Sequence, residues 1–255
     1  MGAAHGHRLY FHAHSPLHRL PGHCKVLALV TFVLCVVATP SRAYWAFGLH
    51  ALALVGVLVV SRVPAPFIVK RMVVETPFVV FALLLPFMST GPRTDVLGLS
   101  VSEAGLHAGL TLLCKGTLGV AASLLLAATT EPRDILAGLE RLRLPAQLVQ
   151  IMAFMIRYLD VAGAEMGRMK IARESRGFQA KGLRSWPVVA RSGGALFIRS
   201  YERGERVHLA MLSRGYAGTM PSLGEVAATR VQWLTAIMLP AVALSISLAA
   251  WGVAA

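Results

Sequence analysis

Five stretches of this chain are almost free of charge: Lys25–Thr39, Tyr44–Val60, Val73–Met88, Leu106–Ala128 and Trp233–Val253. No other feature constrains the fold as tightly. A helix rises 1.5 Å per residue, so roughly 20 apolar residues cross a ~30 Å hydrocarbon layer and ~17 still suffice. The second, fourth and fifth stretches meet that length. The first and third are shorter, so they draw in neighbouring residues or thin the bilayer locally, and Pro77 and Pro86 interrupt the third. Five such blocks in one chain argue against a soluble globule with buried core helices. The composition agrees, with 56% hydrophobic residues, 15% charged residues and a mean hydropathy of +0.63. The first block does not read as a secretory signal, because it starts far from the N-terminus and no small-residue cleavage site precedes a polar domain. The expected fold is an all-α, polytopic membrane bundle of about five spans that carries a helical polar region.

Charge sets the expected orientation, since short loops rich in Lys and Arg stay in the cytoplasm. The N-terminal tail carries Arg8, Arg19 and Lys25, and the second connection carries Arg62, Lys70 and Arg71. The segment from Glu131 to Arg230 holds sixteen of the twenty-five Lys and Arg residues. The opposite loops carry only Arg42 and Arg93 of this class. All three basic regions therefore place the N-terminus and the long segment inside a cell inner (plasma) membrane and the C-terminus outside. This divides the chain into a tail (1–23), a membrane core of about four spans (24–130), a cytoplasmic helical region (131–231) and a last span (232–255). The net charge of +13 is explained by topology and by contact with anionic headgroups, so no nucleic-acid partner is expected.

Side chains with chemistry are sparse. Cys24, Cys35 and Cys114 are scattered without metal-ligand spacing and read as small apolar packing residues. His5, His7, His12, His14, His18 and His23 crowd the first 23 residues. They suit either a solvated or interfacial tail or a weak metal-collecting one, because no periodicity fixes ligands in space. There is no GxxxxGK[ST] loop, no HExxH and no nucleophile–base constellation, which excludes an ATPase and disfavours an enzyme. No metal site and no cofactor are expected. Within the spans the ionisable candidates are Glu75 and Lys115, too few for an ion path through this chain alone. Gly105, Gly109, Gly116, Gly119, Ala121 and Ala122 give the fourth span small faces suited to close helix contact.

The polar region carries the signal. Ile135, Leu136, Leu139 and Leu142 predict a short amphipathic helix from Pro132, and Pro145 stands where another can begin. Leu148, Ile151, Met152, Met155, Leu159, Ala162, Met166 and Met169 form one stripe, with Arg157, Asp160, Glu165 and Arg168 elsewhere on the cylinder. That helix stops at Gly177. A second unit breaks at Gly193-Gly194, places Val207, Ala210, Met211 and Arg214 at helical spacing, and stops at Gly215. Both units end in Ser-Arg-Gly-aromatic, as Ser175-Arg176-Gly177 and Ser213-Arg214-Gly215. An arginine in a last turn complements the helix dipole, and one instance would mean no more than that. Two instances 38 residues apart point to arginines that grip a partner, whereas Arg173, one turn earlier, is expected to serve solubility.

At these residues the chain resembles the transmembrane T components of energy-coupling factor (ECF) transporters, and specifically the cobalt-module CbiQ family. The family's two x-Arg-x motifs, usually Ala-Arg-Gly, correspond to Ser175-Arg176-Gly177 and Ser213-Arg214-Gly215, with serine for alanine. ERGERVHLAMLSRGYAG is similar to the family's second-motif stretch, and Ser15-Pro16-Leu17-His18-Arg19-Leu20 with Lys25 resembles its N-terminal pattern. Pro21-Gly22-His23 departs from the family's more frequent Asp-Pro-Arg. The resemblance implies a non-catalytic subunit that sits on two cytoplasmic ABC-type ATPases, with both arginines docked in grooves of the ATPases. It also implies a substrate-binding membrane subunit (CbiM-like), a small accessory membrane subunit (CbiN-like) and Co²⁺ or Ni²⁺ as cargo. A T component serving a vitamin carrier such as biotin, a complete small channel or secondary transporter, and a membrane-embedded enzyme are the alternatives.

Overall fold

The computed structural model describes residues 10–13, 15–90, 92–96, 99–178, 182, 185–218, 220 and 228–254. His5, His7 and His14 lie outside the described residues. The helices are α1 (Gly22–Ala38), α2 (Tyr44–Ser61), α3 (Ala65–Val69), α4 (Thr76–Met88), α5 (Glu103–Thr129), α6 (Pro132–Arg141), α7 (Ala146–Ser175), α8 (Trp186–Leu212) and α9 (Arg230–Ala254), with a 3₁₀ turn at Met72–Glu75. The helical bundle is as expected. One feature is additional: β1 (Arg93–Val96) and β2 (Leu99–Ser102) pair antiparallel, with Arg93 opposite Ser102 and Val96 opposite Leu99.

By length and composition α2, α5 and α9 are able to cross a membrane, whereas α1 has 17 residues and α4 only 13. Proline explains α4. Pro77 sits in its first turn, where the missing N–H costs nothing. The residues before it form the tighter 3₁₀ turn instead of extending the helix.

The described residues fall into two compact units, one containing α1–α5, α9 and most of α6, the other α7 and α8. In the first, α1 and α2 pack on both α5 and α9, and α4 packs on α5. The core joins Phe32, Cys35 and Val36 of α1, Phe47 and Leu54 of α2, Leu118, Ala122 and Leu125 of α5, and Ala243 of α9. The outer faces stay apolar: Val59, Leu234 and Leu248 are 71%, 71% and 63% exposed, as lipid-facing side chains are. Cys24 and Cys35 are buried, in keeping with packing roles.

Lys115 and Glu75, the ionisable side chains expected within spans, both make contacts to neighbouring elements. Lys115 donates from Nζ to the Val37 carbonyl (2.7 Å) near the end of α1, where a cation meets the negative pole of that helix. Glu75 accepts a 2.6 Å bond from the Thr117 hydroxyl. A polar cluster joins three helices. Thr39 Oγ1 lies 3.2 Å from His50 Nε2 and 3.1 Å from Ser247 Oγ, and both hydroxyls donate to the Cys35 carbonyl. All three residues are buried. Interhelical hydrogen bonds in membranes average about 0.6 kcal/mol and reach roughly 1.7. Ser247→Ala is therefore expected to lower the melting temperature in detergent by about 2–4 °C. An unchanged melting curve would show that the cluster does not hold the bundle.

The tail is more structured than expected from Tyr10 onward. The Phe11 N–H bonds the Ala128 carbonyl at 2.9 Å, and Phe11 packs edge-on against Phe67. His18 bridges Ser15 Oγ (2.7 Å) and the Phe11 carbonyl (3.1 Å), and His23 is buried against Trp233. These two histidines are therefore packing residues. Buried Lys25 donates to the Thr129 carbonyl at 2.8 Å. Burial, with Glu131 and Asp134 nearby, pushes the Tyr10 phenol up. Pro21-Gly22-His23 finds its role here, because a Cβ on Gly138 of α6 would stand 2.5 Å from the His23 nitrogen. Glycine lets the backbone of α6 rest on the start of α1.

Candidate functional site

The helix α7 starts directly after Pro145 and runs 30 residues to Ser175. The helix α8 starts at Trp186 with Pro187 in its first turn and runs unbroken through Gly193-Gly194 to Leu212. The expected break is absent. Two helical glycines cost about 1 kcal/mol each relative to alanine, and a tertiary contact beside them offsets this. Arg173 donates from Nη1 to Ser192 Oγ, and that hydroxyl also bonds the Val188 carbonyl one turn back at 3.1 Å. Arg173 is thus a helix-pairing residue and not a solubility residue.

The two helices run antiparallel in constant register. Gln150 faces Tyr216, whose hydroxyl donates to Gln150 Oε1 at 2.8 Å. Glu165 faces Arg199 and Arg203, and Arg173 faces Ser192. The apolar stripe of α7 meets this interface only in part, through Ala162. Leu148, Ile151, Met155 and Leu159 are 51–65% exposed, while Phe154, Tyr158, Val161 and Glu165 border the space between the helices. Aromatic bulk and the buried Glu165 carboxylate, held by the more exposed Arg199 and Arg203, select that side of the cylinder. Glu165, expected on the polar face, is buried to 8% exposure.

Both Ser-Arg-Gly segments close their helices identically. Gly177 has φ +77° and Gly215 φ +83°, which only glycine adopts without strain. The Gly177 N–H bonds the Glu174 carbonyl (3.0 Å) and the Phe178 N–H bonds the Arg173 carbonyl (3.1 Å). At the other end Gly215 bonds Leu212 and Tyr216 bonds Met211, each at 3.0 Å. This is the Schellman closure, in which backbone donors just past the helix satisfy its last carbonyls. The serines turn inward, Ser175 Oγ to the Ile171 carbonyl (2.8 Å) and Ser213 Oγ to that of Ala210 (3.0 Å).

With the backbone and serines satisfied, the arginines are left over. Arg176 and Arg214 are exposed, and among the described residues neither guanidinium has an ion-pair or hydrogen-bond partner. The Arg214 end lies level with Gln150, and Arg176 is 26 residues further along α7, so the two tips stand about 40 Å apart. Each presents a planar fork of donors suited to two acceptor oxygens at once. Among the described residues no group of three or more His, Cys, Asp or Glu side chains could hold a metal.

A family model described as "Cobalt transport protein" (CbiQ) matches residues 13–224. The chain is 28% identical over 221 residues to the energy-coupling factor transporter transmembrane protein EcfT of Bacillus subtilis, covering 80% of this chain and 82% of that one. It is 30% identical over 229 residues to EcfT of Thermanaerovibrio acidaminovorans, covering 82% of both. It is also 26% identical over 160 residues to the cobalt transport protein CbiQ of Rhodobacter capsulatus, covering 63% of this chain and 64% of that one. With a family match across most of its length, the chain belongs to the CbiQ family of ECF-transporter T components, and it is a membrane subunit of a transporter and not an enzyme.

Proposed function

We propose that this chain is the coupling subunit of an ATP-driven Co²⁺ importer, with Ni²⁺ as a related cargo. T components work with ATPase subunits and a substrate-binding membrane subunit. Here the proposed partners are two ABC-type ATPases, a CbiM-like substrate subunit and a CbiN-like accessory subunit. Residues 24–130 and 232–255 form the membrane part, and residues 131–231 form a cytoplasmic coupling region. The N-terminus lies on the cytoplasmic side of the inner membrane, as the Lys and Arg distribution supports. Ser175-Arg176-Gly177 and Ser213-Arg214-Gly215 dock the ATPases, one tip to each. ATP-driven closure then moves the tips, and the substrate subunit shifts so that its site changes sides.

The observation that carries this reading is the pair of identically closed helix ends, each leaving one exposed arginine, at opposite ends of one hairpin. A symmetric pair of ATPases offers two equivalent grooves, and two equivalent tips fit them. The family description and the R. capsulatus relative favour cobalt. A vitamin importer is the second reading, because the EcfT relatives match over 80–82% of this chain against 63% for the cobalt relative.

The test is co-purification of the tagged chain with its ATPase and membrane partners, followed by ATPase and uptake assays in liposomes. Cobalt-stimulated hydrolysis with cobalt uptake is expected. Stimulation by biotin or another vitamin instead would move the assignment to the second reading. Failure of any ATPase to co-purify would remove the coupling role itself.

A further inference from the structure

We infer that Glu165 is a positioning residue that fixes the separation and angle of the two arginine tips. The inference rests on the docking role proposed above. Each Glu165 oxygen takes its own guanidinium, Oε1 from Arg199 Nη1 and Oε2 from Arg203 Nη2, both at 3.1 Å. Arg199 and Arg203 lie one turn apart on α8, so the carboxylate grips that helix at two points and resists sliding and rotation together.

Little else does so at mid-hairpin. Among the described residues α8 has no buried side chain, and α7 has only Val149 and Glu165. From the ion cluster toward the Tyr216 end the helices flank a half-open cleft of about 360 Å³ bordered by Phe154, Tyr158, Val207 and Met211. A close-packed helix pair is held by interdigitated side chains, and this pair is loose there. Among the described residues the other polar contacts, Arg173 with Ser192 and Gln150 with Tyr216 and the Gly218 carbonyl, sit near the two ends. The buried carboxylate is therefore the central clamp of an otherwise slack lever. A lever that must carry a displacement between two tips needs that clamp, because a slack crossing absorbs the movement.

Glutamine at position 165 keeps the shape but forfeits the charge that two guanidiniums share. The experiment uses the full chain reconstituted with its partners, with Cys24, Cys35 and Cys114 replaced by alanine and spin labels at Lys170→Cys and Ala217→Cys. These positions lie near, but outside, the two motifs, roughly 30 Å apart along the hairpin. Glu165→Gln is expected to broaden the inter-label distance distribution. It should also lower transport per ATP hydrolysed by roughly 2- to 30-fold, with the ATPases still bound. Glu165→Asp should stay near wild type on both measures. If Glu165→Gln does not accumulate, the double change Arg199→Gln and Arg203→Gln on the exposed side of the cluster probes the same clamp. A native distance distribution overturns the inference, as does broadening with coupling intact or lost coupling at a native distribution. Failure of the docking role reads differently, because ATPase would then stay bound after charge reversal at Arg176 and Arg214 whatever the distances show.

Discussion

Charge reversal at Arg176 and Arg214 together is expected to abolish transport while leaving the chain folded in the membrane. Both side chains are exposed, and neither supports its own helix end, because the Schellman closures are made by backbone groups and glycine. Their removal therefore costs the free subunit little. In a complex each guanidinium would meet carboxylates or carbonyls in a desolvated groove. Truncating one partner of such a pair costs roughly 2–5 kcal/mol, so a single Arg→Ala should weaken ATPase docking by roughly 30-fold to several-thousand-fold. Glutamate is worse than alanine because it sets like charge against an acidic groove. Lysine should rescue in part, since it keeps the charge but not the planar fork. Arg168, exposed on α7 away from the motif, is the proper control, and Arg168→Ala should bind ATPase normally. Arg173 cannot serve, since its bond to Ser192 helps pair the helices. ATPase capture and uptake that persist in the doubly reversed variant would reduce both arginines to ordinary helix ends.

What the sequence made legible was local. A charge-poor run announces a helix without reference to anything else in the chain, and α2, α5 and α9 follow three of the five blocks closely. Ser-Arg-Gly-aromatic announces a helix end in the same way, because a left-handed glycine and its backbone bonds need only six consecutive residues. The hairpin of β1 and β2 was readable in principle. Thr94, Val96 and Val101 are β-prone residues in its arms, but those arms are only four residues each.

What was hidden depended on partners distant in sequence. Glu165 reads as solvated until Arg199 and Arg203 are placed opposite it, 34 and 38 residues later. Its signal was the pairing of one acid on α7 with two bases at i, i+4 on α8. Gly193-Gly194 reads as a break until Ser192 is seen bonded to Arg173. The choice of Phe154 and Tyr158 over the aliphatic stripe as the α8-facing side required knowing both helices at once. In each case a contact across the hairpin outweighed a preference written along one helix.

The largest structural effect is expected at Gly109. A Cβ there would stand 2.6 Å from the Ala82 carbonyl oxygen, and one on Gly105 would stand 2.7 Å from both the Leu85 oxygen and the Pro86 Cα. These neighbours are backbone, so α4 itself must move to make room. The arrangement follows from Pro86, which has no N–H to offer the carbonyl four residues back, that of Ala82. That freed oxygen sits against the bare Cα of Gly109, where a weak C–H···O contact is available. Proline on one helix and glycine on the other thus form one joint, and α4 packs in the membrane unit through it. Gly109→Leu should push the helices apart and prevent accumulation of folded protein. Gly109→Ala should fold in part and melt well below wild type. Gly119, with open space around its Cα, is the matched control on the same helix. Gly119→Ala should be neutral or stabilising by up to about 1 kcal/mol through helix propensity alone. Membrane yield and melting temperature across the three variants decide the matter. If Gly109→Ala matches Gly119→Ala on both measures, the α4–α5 joint is not a close backbone contact.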